Sequence, residues 1–276
     1  MAASAKSHAP KAVASLPMYD WPEVSPVVDR LWEGVAAHLR EAKMPVPAQL
    51  ARRTDHTSVW REPGLVLSQT CGYPYVKSLR GKVTLVGAPV YDVPGCDGAT
   101  YCSFLIVRRT DPVASIAALR GRRAAINGWD SQSGFSALRA TVAPFTGGGR
   151  FFGEVKVSGG HRASLHAVAD GIADVAAIDA VCWALAQRHE PAAYAGLRVL
   201  AQSPTAPSLP FITSAAGDPL RHIALLYALR QTLAAGGPLF RNALFLADVL
   251  PVNDAAYDRI TEIERRAAQL GYATVA

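Results

Sequence analysis

Ser131, Gln132 and Ser133 stand in the segment 124–138, AAINGWDSQSGFSAL, with Gly134 directly after them. Ala124-Ala125-Ile126 reads as a short apolar strand, and Phe135, Ala137 and Leu138 as the inner face of a helix. The polar stretch 127–133 therefore bridges a strand end and a helix start. A helix start carries backbone N–H groups without intrahelical partners and a partial positive charge, which suits an anion. The serines add hydroxyl donors, and Gly134 lets a ligand approach the backbone. A plain helix cap by Ser131 or Ser133 uses the same residue types. The stretch lacks the Lys and the glycine spacing of a P-loop, which argues against ATP or GTP.

Other residues carry the same kind of chemistry. His161 follows Ser158-Gly159-Gly160 and opens a helix. Neutral, it offers one donor; protonated, it offers two and a charge. The imidazolium is the favoured binding form, because a cation compensates an anion withdrawn from water. Asp179 closes the strand Val175 to Ile178. It either caps the next helix or faces a protonated oxyanion or an amine-bearing ligand. Tyr73 and Tyr75 lie in the loop SQTCGYPY, and Tyr101 precedes an apolar strand. Their hydroxyls suit an anion and their rings an organic substituent. Trp21 and Trp129 read as packing residues rather than cleft walls. Ser131 or Ser133, His161 and Asp179 also supply the residue types of a hydrolytic triad, but no GxSxG elbow is present.

At 276 residues, half of them hydrophobic and 18% charged, the chain suits two compact lobes or one large domain. No apolar run reaches the length of a membrane span. The formal charge of +6 is scattered in short pairs such as Arg52-Arg53 and Arg122-Arg123, so a nucleic-acid partner is not expected. Cys71, Cys96, Cys102 and Cys182 form no CxxC pair, and no metal site is expected. Cys71 and Cys96 could pair in an oxidising compartment, with buried free thiols the favoured reading. No convincing GxGxxG is present, so no dinucleotide cofactor is expected. Residues 1–11 read as a disordered tail without the apolar core of a secretory signal, which leaves a cytoplasmic location open.

Around these residues, strands alternate with helices. Ser25-Pro26 opens a helix with Val28, Leu31, Trp32, Val35 and Leu39 on one face. Asp55 caps a short helix. After the helix that begins at Asp218-Pro219, two more are expected, near Pro238 to Leu246 and Asp254 to Leu270. This alternation predicts an α/β fold with largely parallel sheets. In such sheets ligands gather beyond the carboxyl ends of strands, the address of the loops 68–75, 92–101, 127–134 and 158–162 and of Asp179.

The segments SQTCGYPY, PGCDGATYCSFLIVR, AAINGWDSQSGFSALR, SGGHRASLHAVADGIADVAAIDAVCW and APSLPFIT, in this order, resemble the phosphate/phosphonate family of ABC-transporter solute-binding proteins. The resemblance runs from about Ala14 onward. It implies a type II periplasmic-binding-protein fold: two Rossmann-like α/β lobes joined by two crossing segments, with a central cleft. The crossings would lie near Cys102 to Arg109 and Val199 to Pro207. Residues 12–103 and 207–276 would form a discontinuous first lobe, and 104–206 the second with the hinge crossings. The resemblance assigns the ligand to Tyr73 or Tyr75, Tyr101, Ser131 to Ser133, His161 and Asp179. Gln132 departs from the family's paired hydroxyl residues. The implied ligand is a small oxyanion such as phosphate, phosphite or a phosphonate. The implied partner is an ABC permease, the implied location periplasmic, and the expected state a monomer without catalysis or cofactor. A cytoplasmic sensor of a phosphorylated metabolite is the alternative on the same fold.

Overall fold

The computed structural model describes residues 10–216 and 218–275, so the expected tail falls largely outside the described residues. In chain order the strands are β1 (Val13–Ser15), β2 (Leu65–Gln69), β3 (Val83–Tyr91), β4 (Cys96–Asp97), β5 (Thr100–Tyr101), β6 (Ser103–Arg108), β7 (Arg123–Ile126), β8 (Glu154–Val157), β9 (Val175–Asp179), β10 (Leu197–Gln202), β11 (Ala206–Pro207), β12 (Phe211–Ser214) and β13 (Leu246–Leu250). They form two five-stranded sheets, β1-β2-β12-β3-β13 and β10-β6-β9-β7-β8, plus a small ribbon, β11-β5-β4, in the connecting segments.

The first sheet is covered by a helix pair that the apolar spacing dictates. Val28, Leu31, Trp32, Val35, Ala36 and Leu39 of helix Ser25–Glu41 are all buried. They pack on helix Arg221–Leu244, which buries Leu225, Ala228, Leu229 and Leu233. Each buried Val or Leu side chain here contributes roughly 1.5–3 kcal/mol. Gly34 is required at this contact, because a Cβ there would enter the Thr232 side chain.

Three departures from the sequence expectations have physical causes. The sheets are mixed rather than largely parallel: among the described residues, only β1–β2, β7–β8 and β7–β9 run parallel. A parallel partner needs a crossover that carries the chain back to the same end. β6 and β12 instead enter their sheets directly from the crossing segments and run against their neighbours. The separate helix expected at Pro238 to Leu246 is the last part of Arg221–Leu244, bent at Gly236 (φ −107°, ψ 17°). Phe245 in the left-handed region (φ 57°) ends it, and Leu246 opens β13, which pairs with β3. Finally, the crossings are short. Ser103 N donates to Ser203 Oγ (2.9 Å), Ser203 N donates to the Ser103 carbonyl (2.8 Å), and Tyr101 pairs with Ala206. Most of the rest of the expected crossing segments, to Arg108 and from Val199 to Gln202, belongs to β6 and β10.

The chain end crosses between the sheets. Ala267, Tyr272 and Val275 pack with Phe135, Leu138, Phe151 and Phe152 around the second sheet, and Arg139 Nη1 donates to the Ala273 carbonyl (2.8 Å). Segment 267–275 is therefore a strap over the second lobe.

Candidate ligand-binding site

A cavity of about 350 Å³ lies between the two sheets. Tyr19, Trp21, Trp60 and Cys71 line it from one side; Asn127, Asp130, Ser131, Ser133, His161 and Asp179 line it from the other. No Lys or Arg is among its lining residues.

Its floor is the helix start at β7's end. Ser131 is extended (φ −86°, ψ 128°), and its Oγ accepts from Gly134 N (2.9 Å), so it is the N-cap. The Ser131 carbonyl then accepts from Ser136 N (3.0 Å), which widens the first turn over Gln132–Ser136. Gln132 contributes backbone rather than side chain: its N–H donates to Cys71 Sγ across the cleft (3.3 Å), while its side chain is buried away from the cavity. Gly134 is fixed by packing, because a Cβ there would overlap the Asn127 side chain. Gly134→Ala is therefore expected to displace Asn127, cost about 1–3 kcal/mol in a thermal melt and abolish ligand binding. A variant that melts and binds like wild type contradicts this packing.

Ser133 Oγ lies 2.7 Å from His161 Nε2. His161 starts helix His161–Ala169 after Gly159 (φ 91°), a left-handed turn that suits glycine. Burial pushes the imidazole down to about 4, so the ring is neutral near pH 7. In the unliganded protein desolvation of the ring outweighs the opposing pull of the Ala177 backbone; the imidazolium expectation concerns the ring with an anion bound. Tyr101, only 3% exposed, places its hydroxyl beside Ser133 without a hydrogen bond of good geometry. Asn127 Oδ1 and Gln132 Oε1 are also buried without partners. Unpaired buried polar atoms are uncommon, and these, with Ser136 Oγ, gather at one helix start.

Asp179 ends β9 and is 1% exposed. Its Oδ1 accepts from Val181 N (2.8 Å) and Cys182 N (3.3 Å), and its Oδ2 from the Tyr19 hydroxyl (2.8 Å). It caps helix Ala180–His189 and also reaches across the cleft. Desolvation raises its pKa to about 6 despite these three donors. Its carboxylate is not hydrogen-bonded to His161, so Ser133, His161 and Asp179 do not assemble as a triad.

Besides Gln132 and Tyr101, which are buried just behind the lining, two sequence candidates turn away from the cavity altogether. The Tyr73 hydroxyl donates to Glu264 (2.6 Å), and the Tyr75 hydroxyl donates to Asp254 with its ring against Tyr257. The helical turn at 72–74 and the wide turn over 75–79 carry both rings toward the C-terminal segment 254–264, leaving Cys71 and Pro74 to face the cleft. All four cysteines are free, so Cys71 and Cys96 are not bridged. Trp21 lines the cavity, contrary to its reading as packing; Trp129 is half exposed and lies edge-on to Phe135.

Tyr19 was not anticipated. It follows β1 in the segment PMYDW, at the same kind of strand end as the other loops, so the address rule extends to it. Its left-handed backbone (φ 63°) turns it toward Asp179, and its ring stands edge-on to Tyr91 at 5.3 Å. A positive φ at tyrosine has no sequence signal.

No curated protein sequence matches the chain. Among solved structures, a binding protein component of an ABC phosphonate transporter from Pseudomonas aeruginosa superposes with a TM-score of 0.71 at 14% identity, covering 95% of this chain and 88% of that one. PhnD1 from Prochlorococcus marinus, solved with methylphosphonate, gives 0.69 at 15% identity, with 95% and 100% covered. XAC2383 from Xanthomonas citri, solved with chloride, gives 0.68 at 16% identity, with 94% and 98% covered. At these identities the likeness establishes the two-lobed periplasmic-binding-protein fold. The family model for the periplasmic phosphonate substrate-binding protein of ABC transporters matches residues 22–260. The match covers every strand but β1 and all the cavity lining after Trp21, and the chain belongs to that family.

Proposed function

We propose that the protein captures a small phosphonate-class oxyanion at the Ser131–Ser133 helix start and presents it, enclosed, to an ABC permease on the periplasmic side. The observation that carries this reading is the convergence of Ser131, Ser133 and His161 on one helix start inside a cavity, with the unpaired Tyr101 hydroxyl buried beside Ser133. Ser131 and Ser133 supply hydroxyls, and the first-turn amides supply the dipole. Neutral His161 supplies one N–H. Tyr101 adds a hydroxyl from the crossing strand. Asp179 sets the charge of the ligand: it accepts a hydrogen bond from a protonated oxyanion or takes up the proton itself.

Residues 12–103 and 207–266 act as one lobe and 104–206 as the other, closing about Tyr101–Ser103 and Ser203–Pro207, while the strap 267–275, expected with the first lobe, packs on the second. The protein works as a monomer, with neither nucleic acid nor turnover in its role. The lack of an orienting carboxylate on His161 supports binding without chemistry. Native mass spectrometry with methylphosphonate, phosphite, phosphate and sulfate tests the reading. One-to-one complexes with the phosphorus oxyanions, weaker with sulfate, are expected. Equal occupancy by sulfate, which carries no proton for Asp179 near pH 7, contradicts it.

A further inference from the structure

We propose that Arg162 and Glu23 form a latch across the mouth of the cleft that acts only when the lobes are closed, an inference that rests on the closing-cleft reading above. Arg162 follows His161 on the first turn of helix His161–Ala169. Its Nη1 and Nη2 donate to Glu23 Oε2 (3.0 Å) and Oε1 (2.8 Å), a two-pronged pair between residues of opposite lobes. The guanidinium also lies 4.6 Å from the centre of the Trp21 ring, which itself lines the cavity. Its Nε donates to Glu190 of its own lobe. Glu190 thus holds the arginine in place on one lobe while Glu23 and Trp21 meet it from the other.

The geometry favours a device over an incidental surface pair. Planar two-pronged pairing is stronger and more exacting than a single contact, and a stacked aromatic adds to it. Both side chains keep about a third of their exposure, 33% and 35%, so water and salt can reach them when the lobes part. A pair between opposite lobes is lost when they part, so it shifts the open–closed equilibrium without touching the ligand. It slows release and leaves capture unchanged. Its neighbour His161 couples it to the occupied site.

The test uses the full chain with Glu23→Gln, which spares the Arg162–Glu190 pair, and Glu23→Asp, which keeps the charge. Stopped-flow tryptophan fluorescence with methylphosphonate reads release and capture. Glu23→Gln is expected to release the ligand about three- to fivefold faster, with the capture rate within about twofold of wild type. Near 1 M salt the two proteins should converge, since screening is nearly complete there. Glu23→Asp should restore most of the slow release, which a merely structural role for the glutamate would not predict. Small-angle scattering without ligand gives a second readout: a larger radius of gyration for Glu23→Gln than for wild type. Unchanged release and an unchanged radius together overturn the latch. Should wild type bind no methylphosphonate, the cleft reading fails, and the scattering comparison alone decides the latch.

Discussion

Replacing both serines, Ser131→Ala with Ser133→Ala, is expected to weaken methylphosphonate binding roughly a hundredfold while the protein stays folded. A hydrogen bond to a charged group contributes about 1.5–3 kcal/mol, and each 1.4 kcal/mol is a factor of ten in affinity. Ser133→Ala alone should cost about tenfold, because its hydroxyl is also the partner that orients His161 at 2.7 Å. Ser131 has a second duty as the N-cap that accepts from Gly134 N, so its alanine variant also loses about 1 kcal/mol of stability. The two losses separate by method: titration calorimetry reads the first and thermal melting the second. Single variants that bind like wild type would remove the helix start from the site.

The second large effect concerns Asp179 and pH. Its carboxyl is raised from 3.8 to about 6 by burial. A group raised in the folded state contributes most to stability below its unfolded value and loses that contribution as pH rises through the folded one. The window is therefore about pH 4 to 6.5, and the full change corresponds to about 3 kcal/mol. Asp179→Asn keeps the shape but cannot ionise. Relative to wild type, the variant should gain stability as pH rises from 4 to 7, whatever constant cost its weaker capping adds. His161 acts in the opposite sense. Its pKa is lowered to about 4, so the stability tied to the neutral ring is present above about 6.5 and is lost as pH falls toward 4. Comparing wild type with Asp179→Asn cancels the His161 contribution. A pH-independent stability difference between the two proteins contradicts the buried-carboxylate account. The same pair tests binding: wild type should take up more protons than Asp179→Asn when methylphosphonate binds near pH 7, seen as heat that depends on the buffer.

What the sequence made legible was whatever local pattern controls. The helix stripe from Val28 to Leu39 and the strand–loop–helix at 124–138 follow from apolar spacing and capping, and both stand in the structure. His161 and Asp179 were legible because glycines and strand ends fix their addresses. Tyr73 and Tyr75 were not, since a turn of one or two residues decides whether a loop aromatic faces the cleft or the helix behind it. Tyr19 depends on a left-handed backbone that no residue type announces. β13 was hidden because LADVL carries no clear two-residue alternation, and its strand state is fixed by pairing with β3. The depth of His161 was not legible for a related reason: burial is a property of the assembled lobes, and it lowers the pKa of the unliganded protein's imidazole to about 4.

The central claim is that a phosphonate sits at the helix start of Ser131–Ser133, and a crystal structure of the methylphosphonate complex tests it most directly. The account predicts phosphonate oxygens within hydrogen-bond distance, about 2.7–3.2 Å, of the Ser131 and Ser133 hydroxyls and of His161, with Asp179 facing the ligand's protonated oxygen. A ligand bound elsewhere in the cavity, such as against Trp60 and Asp20 with the two serines untouched, would contradict it.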